Sequence, residues 1–312
     1  MDKVVLLDVV PSIMSAVAGV AAAVAAFVSL KISKQAKNIA EQSALAIQHN
    51  SAAIALSEAI DNLKESTKEL FDLADEVFTE WAREIEKNDD KLDAGNDPRP
   101  LRHVLTNATE MLVTHAIESR KSYRHVHRLM YSIVRDGVLN LNDSEYEILL
   151  KKGDGTYLDF ENTFGKPSIR EIISESKAFR WAFYQLTKRV KALDWKDVWN
   201  KAWLNDGRLS TYEDKYNKVK PTIEAINKSL KSEKTKLAHT VLPLESNTSL
   251  SSIYADIISI TESLIEDCNL EAVQPYRSCF FEPDFIELVV YSMGVVLLTT
   301  KVVDELYKFD FD

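Results

Sequence analysis

VVPSIMSAVAGVAAAVAAFVSL occupies residues 9–30, and no glycine or proline follows it until Gly95. The segment contains 22 consecutive uncharged residues. A helix needs roughly 20 apolar residues to cross the hydrocarbon core of a bilayer. The sequence therefore predicts a transmembrane anchor over residues 1–30. Two alternatives stay open: a helix buried in a soluble core, and a cleaved signal peptide.

Charges on either side of this segment predict its orientation. Lys31, Lys34 and Lys37 follow it, whereas Lys3 precedes it beside two aspartates. Basic residues favour the cytoplasmic end of a membrane helix. We therefore expect a single-pass membrane protein whose C-terminal part lies in the cytoplasm.

Small residues in the anchor indicate that it associates with another helix. Ser15, Gly19 and Ala23 lie four positions apart, and this spacing lets two membrane helices approach closely. We therefore expect a homo-oligomer with these three residues at its contact.

A heptad pattern continues beyond the anchor. One row runs Ile32, Ile39, Ala46, Ala53, Ile60, Thr67, Ala74 and Trp81, and the other runs Gln35, Gln42, His49, Leu56, Leu63, Leu70 and Val77. Apolar residues at these spacings are typical of coiled coils. The sequence predicts a coiled-coil-like stalk over residues 31–87, with Leu56, Ile60, Leu63 and Leu70 as oligomerisation contacts. Alternatively, the second half of the pattern packs on the chain's own domain.

Composition predicts an all-α fold. Only 8 glycines and 8 prolines occur among 312 residues, which favours few turns and long helices. A polar stretch near residues 88–100 predicts a linker, followed by an all-α cytoplasmic domain over residues 98–312. The net charge of −10 argues against a chain that binds nucleic acid over its whole surface. Two cysteines fit neither a disulfide framework nor a zinc quartet, and we expect no cofactor and no metal.

Against this acidic background, residues 99–136 carry seven arginines and lysines and only three acidic residues. The spacing predicts one helix from Leu101 to Asp136, closed by Gly137. A basic face of this helix gathers Arg120, Arg124, Arg128, Tyr131 and Arg135. We expect this face to bind an acidic protein partner or anionic lipid head groups, unless it is simply solvated.

Arg120 followed by His125 and His127 resembles the Arg-x4–6-His motif of the HEPN superfamily. That family contains all-α domains that often act as metal-independent ribonucleases in toxin and antiviral systems. The resemblance implies that Arg120 binds the scissile phosphate and that His127 or His125 takes the proton of the attacking 2′-hydroxyl. On a continuous helix His127 lies about 20° from Arg120 and His125 about 140° away, which favours His127. Lys121 departs from the polar residue that usually follows the arginine in this family.

The C-terminal third predicts core helices. Trp195, Trp199 and Trp203 share one helical face, which is typical of core packing. The 13 uncharged residues from Leu288 to Thr300 are too few to span a membrane and predict the central helix of the core. Motifs for common hydrolases, metalloproteases and nucleotide binding do not occur in the sequence.

These patterns favour a membrane-anchored, self-associating effector that binds a macromolecular partner. A HEPN-like ribonuclease tethered by the same stalk, with RNA as substrate, is the alternative.

Overall fold

The computed structural model describes residues 4–87, 101–118, 125–139, 186, 192–240, 243–278 and 285–309. Within these ranges the side chains of residues 4–27, 135–139 and 192–193 are not described. The predicted linker near residues 88–100 lies outside the described residues. Every regular element in the described part is helical, which confirms the all-α prediction.

The described α-helices are numbered in chain order. They are α1 (Val4–Glu86), α2 (Leu101–Glu118), α3 (Val126–Leu139), α4 (Ala192–Trp203), α5 (Arg208–Ala238), α6 (Thr248–Glu266) and α7 (Phe285–Leu306). Short 3₁₀ turns at Leu244–Ser246 and Gln274–Ser278 precede and follow α6.

Helix α7 forms the centre of the core. It packs against α1, α2, α3, α4 and α6, and it is apolar on nearly every face, with residues such as Val289, Met293 and Val296 fully buried. Among the described residues it is the one helix long and apolar enough to cross a membrane, yet 89% of its apolar window is buried in the protein. A helix that is apolar all round belongs in a protein core or a membrane, and its burial confirms the predicted core helix.

The second half of α1 packs on the body of the same chain. From Ala52 to Ile85 its apolar face lies against α5 and α7, and Leu56, Ile60, Leu63 and Leu70 are at most 1% exposed. The assignment of these four residues to contacts between copies is therefore wrong. An apolar stripe of this period packs equally well on any suitable helix, and α5 and α7 supply that partner within the chain.

Polar contacts secure this packing. The Tyr254 hydroxyl donates to the Ala52 carbonyl at 3.0 Å, and Lys64 Nζ donates to the Phe309 carbonyl at 3.0 Å. The Arg208 guanidinium pairs with the Glu84 carboxylate. These contacts join α1 to α6, to the residues after α7, and to α5.

The first part of α1 extends away from the body. Every residue from 28 to 44 is exposed, and His49 is the first fully buried one, at 5% exposure. The membrane anchor predicted at residues 1–30 is helical from Val4 onward, but the side chains of residues 4–27 lie outside the described part. The anchor therefore stays a prediction.

The basic segment differs from its prediction. Helix α2 ends at Glu118 and α3 begins at Val126, after His125 adopts a left-handed backbone with φ of 62°. A residue with positive φ cannot continue a right-handed α-helix. The predicted single helix from Leu101 to Asp136 is therefore wrong, and α3 runs past Gly137 to Leu139. Helix α5 runs unbroken through Pro221.

Candidate functional site

Polar side chains meet where the beginning of α3 faces the end of α6. Helix α6 ends at Glu266, and Asp267 follows as its C-terminal cap, with its backbone N–H donating to the Ser263 carbonyl at 2.8 Å. The Asp267 side chain is completely buried. It points at the first turn of α3, which starts one residue before His127.

Asp267 accepts three hydrogen bonds. His127 donates from its backbone N–H at 3.2 Å and pairs through Nδ1 at 2.5 Å, both with Oδ1 of Asp267. The Ser263 hydroxyl donates to Oδ2 at 2.9 Å. A buried carboxylate is stable only when its oxygens are paired in this way. The start of α3 adds a favourable interaction, because a helix N-terminus carries partial positive charge.

A second histidine–carboxylate pair lies beside the first. His125 Nδ1 is 3.3 Å from Glu266 Oε2, and each side chain is about one third exposed, at 34% and 33%. The two side chains are thus partly in water, although Nδ1 and Oε2 themselves are shielded from it, and the pair is expected to contribute less to stability than the fully buried one. Two histidines at the start of α3, His125 and His127, thus face two adjacent carboxylates at the end of α6.

The geometry of the buried pair sets the chemistry of His127. A neutral imidazole that donates from Nδ1 to a carboxylate leaves Nε2 as a hydrogen-bond acceptor. The His127 side chain is 16% exposed. A histidine oriented by a carboxylate in this way can accept a proton as a general base. Ser263 bonds to the carboxylate and not to the imidazole, so these three residues do not form a serine nucleophile chain.

Three ionisable residues of the core near Asp267 are also buried, namely Cys268, Tyr212 and Tyr291. Burial raises the pKa of the Cys268 thiol and of the Tyr212 hydroxyl, which donates to the Cys268 carbonyl at 2.6 Å. Burial, and secondarily the charge of Asp267, raises the pKa of Tyr291. These groups therefore stay protonated at neutral pH, and Cys268 is not a reactive thiolate.

The structure describes the side chains of two of the five residues predicted to form the basic face, Arg128 and Tyr131. Arg128 is exposed, whereas Tyr131 packs edge-on against Tyr291 with ring centroids 5.4 Å apart. Tyr131 therefore contributes to packing. Arg120 and Arg124 lie outside the described residues, as does the side chain of Arg135.

The predicted pairing of Arg120 with His127 depends on a continuous helix. Because that helix is interrupted at His125, the helical-wheel argument that favours His127 over His125 no longer applies. The side chains of Ser15, Gly19 and Ala23 also lie outside the described part of the chain.

Sequence reasoning missed Asp267, Ser263 and Glu266. Asp267 and His127 are 140 positions apart, and no local spacing connects them. Aspartate is almost never fully buried unless it is paired, but this rule points to Asp267 only once its burial is known. In the described ranges, histidine, cysteine, aspartate and glutamate do not form a group of three or more that could hold a metal ion.

Comparison of the chain with protein-family models, with curated proteins and with solved structures finds no match. Functional inference therefore depends on the geometry described above.

Proposed function

We propose that this protein is a membrane-anchored, self-associating interaction protein. The apolar N-terminal segment of α1 anchors the chain, the following turns hold the helical body away from the bilayer, and the body binds a macromolecular partner in the cytoplasm.

The exposure of α1 between residues 28 and 47 is the observation that supports this proposal. Val28, Leu30, Ile32, Ile39 and Ile47 are 47–72% exposed, although side chains of this kind usually lie inside a protein. Of the eight exposed large hydrophobic side chains in the described part, these make up five. Four of the five lie within about 100° of one another around the helix axis, with Leu30 on the other side, and exposed apolar patches mark surfaces that bind proteins or membranes.

Charge and length fit the same arrangement. Lys31, Lys34 and Lys37 lie where α1 would leave a bilayer, and basic residues in that place favour the cytoplasmic side. Residues 31–47 of a straight helix span about 25 Å at 1.5 Å per residue. The body would therefore stand clear of the lipid head groups.

Membrane fractionation with an alkaline carbonate wash tests the anchor. We expect the full chain to stay with the membrane and a chain lacking residues 1–30 to become soluble. The truncation removes none of the described core residues, which begin at His49. A full chain that washes off, or a truncated chain that stays bound, contradicts the proposal.

A second candidate function is metal-independent RNA cleavage, as the HEPN resemblance implies. It is supported by the pairing of His127 Nδ1 with buried Asp267, because this pairing leaves Nε2 free to accept the proton of a 2′-hydroxyl. Arg120 would bind the phosphate.

Cleavage of labelled single-stranded RNA in the presence of a chelator tests this candidate. We expect His127→Ala and Arg120→Ala to abolish cleavage, whereas His103→Ala, at an exposed position of α2, leaves it unchanged. A wild-type protein that does not cleave RNA, or a His127→Ala variant that cleaves normally, rules this candidate out.

A further inference from the structure

We infer that α1 pairs in parallel and in register with α1 of a second copy through an exposed stripe on the side facing away from the body. This inference rests on the proposed self-association and identifies its surface and its partner. The exposed stripe consists of Val28, Ile32, Ile39, Ile47 and Ile54, which are 47–72% exposed.

The five side chains form one surface. At about 100° per residue they fall within about 100° of one another around the helix axis. The residues between them on the same side are Ala36, Ser43, Ala46 and Asn50, so the face carries no charge. Charged residues nearby lie on the other side of the helix. Lys37, for example, is about 160° from Ile39 and pairs with Glu41 at 3.8 Å.

This surface is separate from the face that packs on the body. Leu56 is completely buried against the core, whereas Ile54, two positions earlier, is 52% exposed. Two residues correspond to about 200° of rotation, so the two faces are nearly opposite. A second helix can therefore follow the exposed stripe beside the body without displacing any core residue.

A groove borders the C-terminal end of the stripe. It has a volume of about 900 Å³ and lies between α1 and α5, with Ile47 as the stripe residue in its lining. Lys228, Glu233 and Lys236 line it on the α5 side. The uncharged stripe therefore runs beside this partly charged groove and does not enter it.

The partner is a second copy for two physical reasons. The stripe is uncharged and about 39 Å long at 1.5 Å per residue, so it fits a helix with a matching uncharged face. Every copy of this chain carries such a face. Copies anchored by their N-termini in one membrane also point the same way, which makes the pairing parallel.

Contact area indicates how strong the pairing is. A strip about 39 Å long and about 10 Å wide covers roughly 400 Å² per copy, or about 800 Å² in total. Stable interfaces bury about 1,200–2,000 Å². The described stripe alone therefore supports a weak contact, which the high effective concentration of copies in a shared membrane strengthens.

Cysteine cross-linking of the full chain in native membranes tests this inference. Ile39→Cys places a thiol on the stripe, and Lys37→Cys is the matched control, since its side chain is 76% exposed but lies on the opposite side. A disulfide forms only when the two Cα atoms come within about 7 Å. We expect oxidation to convert Ile39→Cys into a covalent dimer at least fivefold more efficiently than Lys37→Cys, above the background of the wild-type cysteines.

Each outcome separates the inference from the function on which it rests. Equal cross-linking of Ile39→Cys and Lys37→Cys shows that the stripe is not the contact. Mixing Ile32→Cys chains with Ile47→Cys chains tests the direction of pairing, and cross-links found only in that mixture overturn the parallel arrangement. If native-size analysis still finds an oligomer, self-association stands and only this surface is wrong. A monomer in the carbonate-washed membrane overturns both.

Discussion

Replacing Asp267 tests whether the buried pair holds α3 against α6. Asp267→Ala removes the acceptor of three hydrogen bonds, from the His127 backbone N–H, from His127 Nδ1 and from the Ser263 hydroxyl. The partners stay behind in a largely buried site, in which the His127 side chain is only 16% exposed. We therefore expect a large loss of stability from a substitution outside the apolar core.

The magnitude follows from the three contacts. Hydrogen bonds to a charged group contribute about 1.5–3 kcal/mol each, and ordinary ones about 1 kcal/mol. The two short contacts and the long backbone contact sum to roughly 4 kcal/mol. Removal of the buried charge gives back part of this, because taking a carboxylate out of water is costly even when it is paired. The net expectation is about 3 kcal/mol, or a shift of about 5 °C in Tm for a chain of this size.

Urea unfolding followed by circular dichroism at 222 nm measures the change, and Glu266→Ala is the matched control. Glu266 is the neighbouring residue, but its side chain is 33% exposed, whereas the Asp267 side chain is completely buried. We expect its removal to cost less than about 1 kcal/mol. If Asp267→Ala is no more destabilising than Glu266→Ala, the buried carboxylate does not hold α3 against α6.

Three further predictions concern the rest of the described core. Leu63→Ala leaves a cavity where α1 meets the body and should cost about 2–5 kcal/mol in urea unfolding, whereas exposed Lys68→Ala should stay within about 0.5 kcal/mol. A Cβ at Gly207 would lie 2.4 Å from a backbone oxygen at the end of α4, so Gly207→Ala should lower the free energy of unfolding by about 2 kcal/mol. A Cβ at Gly294 meets only flexible side chains, the nearest at 3.4 Å, so in the same assay Gly294→Ala should be neutral or raise the free energy of unfolding by up to about 1 kcal/mol. Because burial raises the pKa of Cys268, the thiol of the unfolded chain ionises first as pH rises. The free energy of unfolding should therefore fall above about pH 8.5, by up to about 1.4 kcal/mol per pH unit. Cys268→Ala should remove this contribution of the thiol to the pH dependence of stability.

Helix content and the position of the most apolar segments were predictable from the sequence. The uncharged run ending at Thr300 is too short for a membrane and too apolar for a surface, so the core was the remaining place for it. Trp195, Trp199 and Trp203 are 2%, 0% and 4% exposed, as their shared helical face predicts. In each case a local periodicity is enough, because burial of an apolar stripe depends little on which partner covers it.

The partner of each stripe was not predictable in the same way. Leu56, Ile60, Leu63 and Leu70 satisfy a coiled-coil pattern, but the same spacing also suits packing within one chain. Tertiary structure decides between the two, because only the arrangement of α5 and α7 shows that these residues are already covered. The same arrangement leaves Ile47 and Ile54 exposed, at 72% and 52%, on the other side of α1.

Sequence alone thus determined the all-α class, the long first helix and the identity of the central core helix, because periodicity and charge act over neighbouring residues. Tertiary structure decided where α2 gives way to α3 at His125, which face of α1 is free, and which carboxylate meets His127. The last of these depends on the approach of α3 to Asp267, 140 residues away. Such a contact arises from packing of whole helices, which local spacing does not encode.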